Sequence, residues 1–106
     1  MIRVKVLTLN DAIRSLVIKG HAGYADKGQD LVCAAVSSIS IGLCNALDHL
    51  AAADCKITVE ENRIEIEASS DNEKLQTILN TGLIQLQTVE EQFSEFVRIE
   101  KTEVRQ

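Results

Sequence analysis

Hydrophobic and polar positions alternate strictly at the start of the chain. In IRVKV, residues 2–6, apolar and basic side chains take turns with the two-residue period of a half-buried strand. Residues 9–12, LNDA, supply Asn and Asp for a turn, and the β-branched segment 13–19 predicts a second strand. Residues 1–19 are therefore predicted to form a β-hairpin.

Helical spacing replaces this alternation after a glycine-containing loop, residues 20–29. Asp30 suits the N-cap of a helix that runs to about Ala53, because its carboxylate can accept hydrogen bonds from the first amides. Apolar residues recur at spacings of three and four along this helix, and they are Val32, Val36, Ile39, Leu43, Leu47 and Leu50. This stripe predicts one helix face packed on a core.

The second half of the chain repeats the hairpin-then-helix order. Residues 56–59 and 63–68 alternate as two strands around a Glu-Glu-Asn turn. Residues 70–73, SDNE, have the spacing of a capping box before a second helix. Its predicted core positions are Leu75, Ile78, Leu79, Gly82, Leu86 and Val89. Residues 94–104 return to a strand pattern.

The predicted order is therefore ββαββαβ in one domain, residues 1–106. Hairpins imply antiparallel pairing, and two helices on one face of a single sheet give a two-layer α+β fold. The other face of this mainly antiparallel sheet is predicted to meet solvent, or in part a second copy of the chain.

Composition and charge narrow the class of protein. Of the 106 residues, 45% are hydrophobic and 25% are charged, which suits one soluble domain. A net charge of −5 argues against direct nucleic-acid binding and is compatible with a basic partner. No stretch has the pattern of a signal peptide, and no segment approaches a membrane span of about 18 apolar residues. A cytoplasmic protein with reduced thiols is expected.

The candidate chemistry lies in residues 20–40, GHAGYADKGQDLVCAAVSSIS. Cys33 is predicted about three residues into the first helix, where unpaired amides and the helix dipole favour a thiolate. His21 precedes it across the loop, and an imidazole near a thiol supplies a general base. The Cys33 amide is a candidate oxyanion donor, and Ser37 lies one helical turn beyond Cys33 on the same side.

Each of these residues also has a simpler interpretation. A cysteine in a helix is commonly a small buried hydrophobe, and a histidine beside glycine is commonly a surface residue. The cap explains Asp30 by itself, and Ser37 can be an ordinary polar helix residue. The residues alone leave both interpretations open.

Other chemistries fit the sequence less well. Cys44 and Cys55, with His21 and His49, have no zinc-ligand spacing and no CxxC, so no metal site is predicted and both cysteines are assigned to packing. The glycines match neither a P-loop nor a dinucleotide-binding loop.

A combination of residues in this stretch resembles the ribosomal-processing cysteine protease family, Prp. Those residues are Gly20-His21-Ala22, Gly28, Asp30, Val32-Cys33-Ala34-Ala35 and Ser37. The chain length and the order of predicted elements agree with the family along nearly the whole chain.

The resemblance implies a function and a set of site residues. The family removes a short N-terminal extension from bacterial large-subunit ribosomal protein twenty-seven, and it is homodimeric with a two-layer α+β fold. Its catalytic Cys and His correspond to Cys33 and His21, and no cofactor is required. Gly20 and Ala22, with Asp30 and Ser37 already discussed, are expected to support the site or to bind substrate.

Two hypotheses from different classes follow. The first is a cysteine endopeptidase with a Cys–His dyad, in which the loop at residues 20–29 is open without substrate and closes over it. The second is a non-catalytic, ribosome-associated module that binds a peptide, with an incidental thiol. A redox sensor is a third possibility, although no resolving cysteine lies close to Cys33 in the sequence.

Overall fold

The computed structural model of the chain describes residues 1–20 and 27–106, with residues 27–30 described by their backbone. The elements are β1 (Ile2–Leu9), β2 (Ala12–Lys19), α1 (Lys27–Leu50), β3 (Cys55–Glu60), β4 (Arg63–Ala68), α2 (Glu73–Gln92) and β5 (Val97–Val104). A short 3-10 turn, Ala52–Asp54, joins α1 to β3. The predicted ββαββαβ order is confirmed.

The strands form one sheet in the order β3-β4-β2-β1-β5. All neighbouring pairs are antiparallel except β1 and β5, which are parallel. In β1, Ile2, Val4 and Val6 are buried beneath the helices, whereas Arg3 and Lys5 are exposed on the opposite face. The predicted mainly antiparallel, two-layer α+β architecture is therefore confirmed.

Both hairpin turns use the residues that the sequence placed there. Asn10 and Asp11 have φ of +50° and +72°, which matches a tight turn between Leu9 and Ala12. Asn62 has φ of +65° in the turn between β3 and β4. Asn and Asp tolerate this left-handed conformation better than most residues, so the local sequence favours both turns.

The two helices share the core with one face of the sheet. On α1, the predicted positions Val32, Val36, Leu43 and Leu47 are buried. Leu50 was predicted with them, but it is 53% exposed because the helix ends there.

The helices approach each other closely at Gly82 of α2. Leu75, Leu79 and Leu86 are buried as predicted, and Gly82 is buried with them. A Cβ at Gly82 would lie 2.6 Å from Leu43 Cδ2 of α1. Glycine at this position therefore allows close packing of the two helices.

The first helix starts earlier than the sequence suggested. It begins at Lys27, so Asp30 lies inside the helix, and the prediction that Asp30 is the N-cap is wrong. Lys and Gln are good helix formers, and a single glycine such as Gly28 costs only about 1 kcal/mol in a helix. These residues therefore extend α1 into the segment that was predicted to be a loop.

The second helix starts with a different cap from the one predicted. Asn72 is its N-cap, and the Asn72 side chain accepts a 3.1 Å hydrogen bond from the Leu75 amide. The capping box predicted to begin at Ser70 is therefore wrong by two residues. An asparagine at the N-cap is as favourable as a serine, so the sequence offered two competing starts.

One helix segment qualifies as a membrane span by length and composition, contrary to the sequence-based expectation. This segment is Leu31–Leu50 of α1. The core helix of a domain meets the same criterion. In the fold, α1 packs Val32, Val36, Leu43 and Leu47 into the core between the helices and the sheet.

Candidate active site

Cys33 lies in the wall of a pocket between α1 and the sheet. The pocket, called the Cys33 pocket below, has a volume of about 190 Å³. Its lining residues are Cys33, Val36, Ser37, Ser40 and Ile41 from α1, and Ile2, Ile18, Gly20, Val59, Glu60, Asn62, Arg63 and Ile64 from the sheet side. Cys33 is partly buried, so its thiol sits in a cavity wall and not in closed packing.

The α1 wall of the pocket is a single stripe of the helix. Positions 33, 36, 37 and 40 recur at the three- and four-residue spacing that places side chains on one helix face. Ser37 is exposed, whereas Ser40, further along the stripe, is only 1% exposed. A thiol and two hydroxyls therefore project from the same side of α1.

Gly20 pins the end of β2 beside the pocket. Its φ is +77°, and a Cβ at this position would lie 2.8 Å from the Met1 carbonyl oxygen. The Gly20 N–H donates a 3.0 Å hydrogen bond to the Asn62 carbonyl oxygen in the β3–β4 turn. Both the positive φ and the close approach require glycine, and the hydrogen bond joins two walls of the pocket.

The sheet side of the pocket combines an apolar wall with charged residues. Ile2 and Ile18 are buried, whereas Glu60 and Arg63 lie at the β3–β4 turn. The Arg63 Nη1 atom is 3.6 Å from the Glu60 carboxylate and 3.1 Å from the Glu65 carboxylate. The pocket therefore offers apolar surface for a side chain next to a charged turn.

Three of the predicted site residues, Gly20, Cys33 and Ser37, line this one pocket. His21 and Ala22 lie outside the described residues. Asp30 is described by its backbone, which places it within α1.

The local environment of Cys33 differs from the one predicted. The helix begins six residues before Cys33, so the Cys33 amide falls within the i→i−4 ladder and not among the unpaired amides of the first turn. The prediction that this amide is an oxyanion donor at the helix start is therefore wrong. The helix dipole falls off within the first turn, so its effect on Cys33 is weaker than expected.

The other two cysteines have structural roles, as predicted. Cys44 belongs to the hydrophobic core and is 8% exposed, and Cys55 packs against that core. Burial, followed by proximity to Cys55, raises the pKa of the Cys44 thiol above its usual value. Burial, followed by the nearby carboxylates of Asp54 and Asp48, raises the pKa of the Cys55 thiol. A raised pKa disfavours the thiolate, which is the reactive form.

No metal centre is evident in residues 1–20 and 27–106, because no three His, Cys, Asp or Glu side chains come together there to hold an ion. A larger groove of about 470 Å³ lies between α1 and α2. It contains none of the predicted site residues, so the Cys33 pocket remains the candidate site.

Sequence reasoning missed Ser40 and the contact between Gly20 and Asn62. The spacing of seven residues from Cys33 to Ser40 was a usable signal, because seven residues are close to two helical turns. The contact between Gly20 and Asn62 joins two hairpins, and nothing local in the sequence indicates it.

Comparisons with known proteins identify the family. The family model described as "Cysteine protease Prp" matches residues 1–98. A Staphylococcus aureus protein named ribosomal processing cysteine protease Prp is 34% identical over 98 residues, which cover 88% of this chain and 92% of that protein.

Solved structures agree in fold. A crystal structure of Prp from S. aureus in complex with a substrate peptide matches with a TM-score of 0.86 and 30% identity, and covers 96% of this chain and 100% of that one. A second, with a covalently linked product peptide, matches with a TM-score of 0.84 and 31% identity over the same shares. With a partly buried cysteine in a pocket wall and these relatives along nearly its whole length, the chain belongs to the ribosomal processing cysteine protease family, Prp.

Proposed function

We propose that this protease removes the N-terminal extension of bacterial large-subunit ribosomal protein twenty-seven, with Cys33 as nucleophile and His21 as its general base and acid. The observation that carries the proposal is the position of Cys33 in a pocket that Gly20 and Ser37 also line. These are residues of the motif that resembles the family, and the fold brings them to one cavity from separate elements.

The proposed reaction has two steps. The Cys33 sulfur attacks the scissile carbonyl carbon while His21 takes the thiol proton, and His21 then gives that proton to the leaving amine as the C–N bond breaks. Water, deprotonated by His21, attacks the resulting thioester and releases the carboxylate product and the thiol. The covalently linked product peptide in the S. aureus relative supports a covalent route.

The pairing of Cys33 with His21 rests on chain order and on the pocket. Gly20, which lines the pocket, immediately precedes His21 in the sequence. Among residues 27–106 the only histidine is His49, whose Nδ1 lies 2.7 Å from the Asn45 carbonyl oxygen on the later part of α1. His49 does not line the Cys33 pocket, so His21 is the better candidate for the base.

The proposal extends to partners and location. The net charge of −5 favours encounter with a basic ribosomal protein, because opposite charges speed association. A homodimer in the cytoplasm, without a cofactor, completes the proposed description. Sedimentation of the purified chain would test the dimer.

The decisive experiment is incubation of the chain with the unprocessed ribosomal precursor, followed by mass analysis of the products. We expect one cut that separates the extension from the mature protein. His21→Ala should lower kcat/KM on the order of a thousandfold, because general acid–base catalysis typically supplies factors of that size. His49→Ala, the matched control, should cleave at the wild-type rate.

Two outcomes would contradict the proposal. Full activity of His21→Ala would exclude the dyad. A precursor that binds the wild-type chain but stays uncut would instead favour the peptide-binding module.

A further inference from the structure

The Ser40 hydroxyl lacks a hydrogen-bond partner although it is buried. Ser40 is 1% exposed, and its Oγ atom has no partner among the described residues. Buried polar groups almost always find a partner, so an exception calls for an explanation. Ser40 lines the Cys33 pocket, and a partner that enters this pocket would supply the missing hydrogen bond.

Packing does not explain the choice of serine at this position. Alanine would fill nearly the same space, has a higher helix propensity and leaves no hydroxyl unsatisfied. Thr8 provides a contrast, because its Oγ1 is also buried without a partner. The methyl group of Thr8 has packing value in a strand, and Thr8 does not line the Cys33 pocket.

The geometry directs Ser40 towards the thiol. Cys33 and Ser40 lie on nearly the same side of α1, about 10 Å apart along its axis. Side chains on a helix lean towards its N-terminus, which is the direction of Cys33. The pocket volume of about 190 Å³ is several times the roughly 30 Å³ share of one water in the liquid, so there is room for a substrate side chain.

We propose that Ser40 is a specificity-determining residue whose hydroxyl hydrogen bonds to the polar tip of a substrate side chain next to the scissile bond. This inference rests on the proposed peptidase function. Ile2, Ile18 and Val36 offer apolar surface along the pocket, and Ser40 adds one buried polar point. Such a site favours a side chain that is apolar along its length and polar at its end, and tyrosine fits this description.

The physical basis is the cost of an unmade hydrogen bond. A phenylalanine in the pocket would leave the Ser40 hydroxyl unsatisfied and shielded from water, whereas a tyrosine hydroxyl would pair with it. Sites built to hydrogen bond a substrate hydroxyl discriminate strongly against the analogue that lacks it.

The test compares synthetic peptides that span the precursor junction and differ only by Phe or Tyr at one position. One pair varies the residue before the scissile bond, whose carbonyl Cys33 attacks, and a second pair varies the residue after it. For one of the two pairs, the wild-type chain should show kcat/KM about tenfold higher for the Tyr peptide. Ser40→Ala should bring this ratio to about one, mainly by slowing cleavage of the Tyr peptide.

Matched controls separate specificity from general damage. Thr8→Val removes the other unsatisfied hydroxyl and should leave the Tyr-to-Phe ratio unchanged. Because the readout is a ratio within one variant, a partial loss of folded Ser40→Ala protein cancels out. A Tyr-to-Phe ratio near one in the wild type for both pairs, or a ratio unchanged in Ser40→Ala, would overturn the role of Ser40.

A binding measurement keeps this outcome distinct from failure of the peptidase proposal. If no peptide is cleaved, the peptidase function fails, and dissociation constants of the same peptides for Cys33→Ala and for Cys33→Ala/Ser40→Ala still test Ser40. A Tyr preference that the second substitution removes supports the role of Ser40 in recognition. Equal affinities for the Tyr and Phe peptides overturn it.

Discussion

The two ends of α1 each carry a cysteine, and the fold treats the two thiols differently. Cys33 and Cys44 are eleven residues apart, close to three helical turns, so they project from nearly the same side of one helix. Cys33 faces a pocket of about 190 Å³, whereas Cys44 is 8% exposed within the core. The same residue type therefore serves as a candidate nucleophile at one end and as packing at the other.

The difference comes from what lies opposite each thiol. Near Cys33, Gly20 and the β3–β4 turn leave a cavity, and Ser37 stands at an exposed position one turn away. Near Cys44, side chains of the core cluster close the space, and this burial raises the Cys44 pKa. Access and solvation, more than helix position, separate a reactive cysteine from an inert one.

The largest expected effect is on cleavage activity when each thiol is removed in turn. Cys33→Ala should lower kcat/KM to below about one-thousandth of the wild-type value, because loss of a covalent nucleophile typically costs this much or more. Cys44→Ala should stay near the wild-type rate and lose about 1 kcal/mol of unfolding free energy, because one buried heavy atom is removed. Peptide cleavage rates and urea denaturation measure the two quantities. Equal activity of the two variants would abolish the distinction between the thiols.

The next effect concerns the glycines that lie near the same two ends of α1. Gly20→Ala should lower the free energy of unfolding by about 2 kcal/mol, because a non-glycine residue is strained at its φ of +77° and the added Cβ would meet the Met1 carbonyl oxygen at 2.8 Å. Gly42→Ala should raise stability by up to about 1 kcal/mol, since a Cβ there meets no atom within 4 Å and alanine is the better helix former. Urea denaturation of both variants measures the contrast. A stable Gly20→Ala variant would show that β2 can end in another conformation.

The smallest expected effect is on thiol alkylation. Iodoacetamide at pH 7 should label Cys33 about tenfold faster than Cys44 or Cys55, because only the thiolate reacts and burial restricts the other two. Raised pKa values leave Cys44 and Cys55 with fewer thiolates at a given pH, so their labelling should increase as the pH rises towards those values. Mass analysis of peptides after timed quenching gives the rate at each cysteine. Denaturant is the control, and it should make the three rates similar.

Most of the fold was predictable because its signals are local. The strict alternation in β1, the Asn10-Asp11 turn and the apolar stripes of both helices each follow from nearby residues. The starts of the helices were less predictable. Around α1 the Lys and Gln that extend the helix compete with Gly28 and Asp30, and around α2 Ser70 competes with Asn72 as the cap.

The candidate site was predictable in its residues and not in its shape. The motif pointed to Cys33, Ser37 and Gly20, and these three line one pocket. The prediction that Cys33 lies in the first turn was wrong, since that inference depended on the start of α1. His21 stays a prediction because it lies outside the described residues.

By itself, the sequence determined the order of the elements, the two-layer class and the family resemblance, because periodicity, turn chemistry and motif spacing are properties of neighbouring residues. Only the tertiary structure decided which thiol meets a cavity and which meets the core. The hydrogen bond from Gly20 to Asn62 joins two hairpins, and the burial of Ser40 depends on the sheet that α1 covers. Both depend on contacts between residues far apart in the chain, and such contacts leave no local pattern.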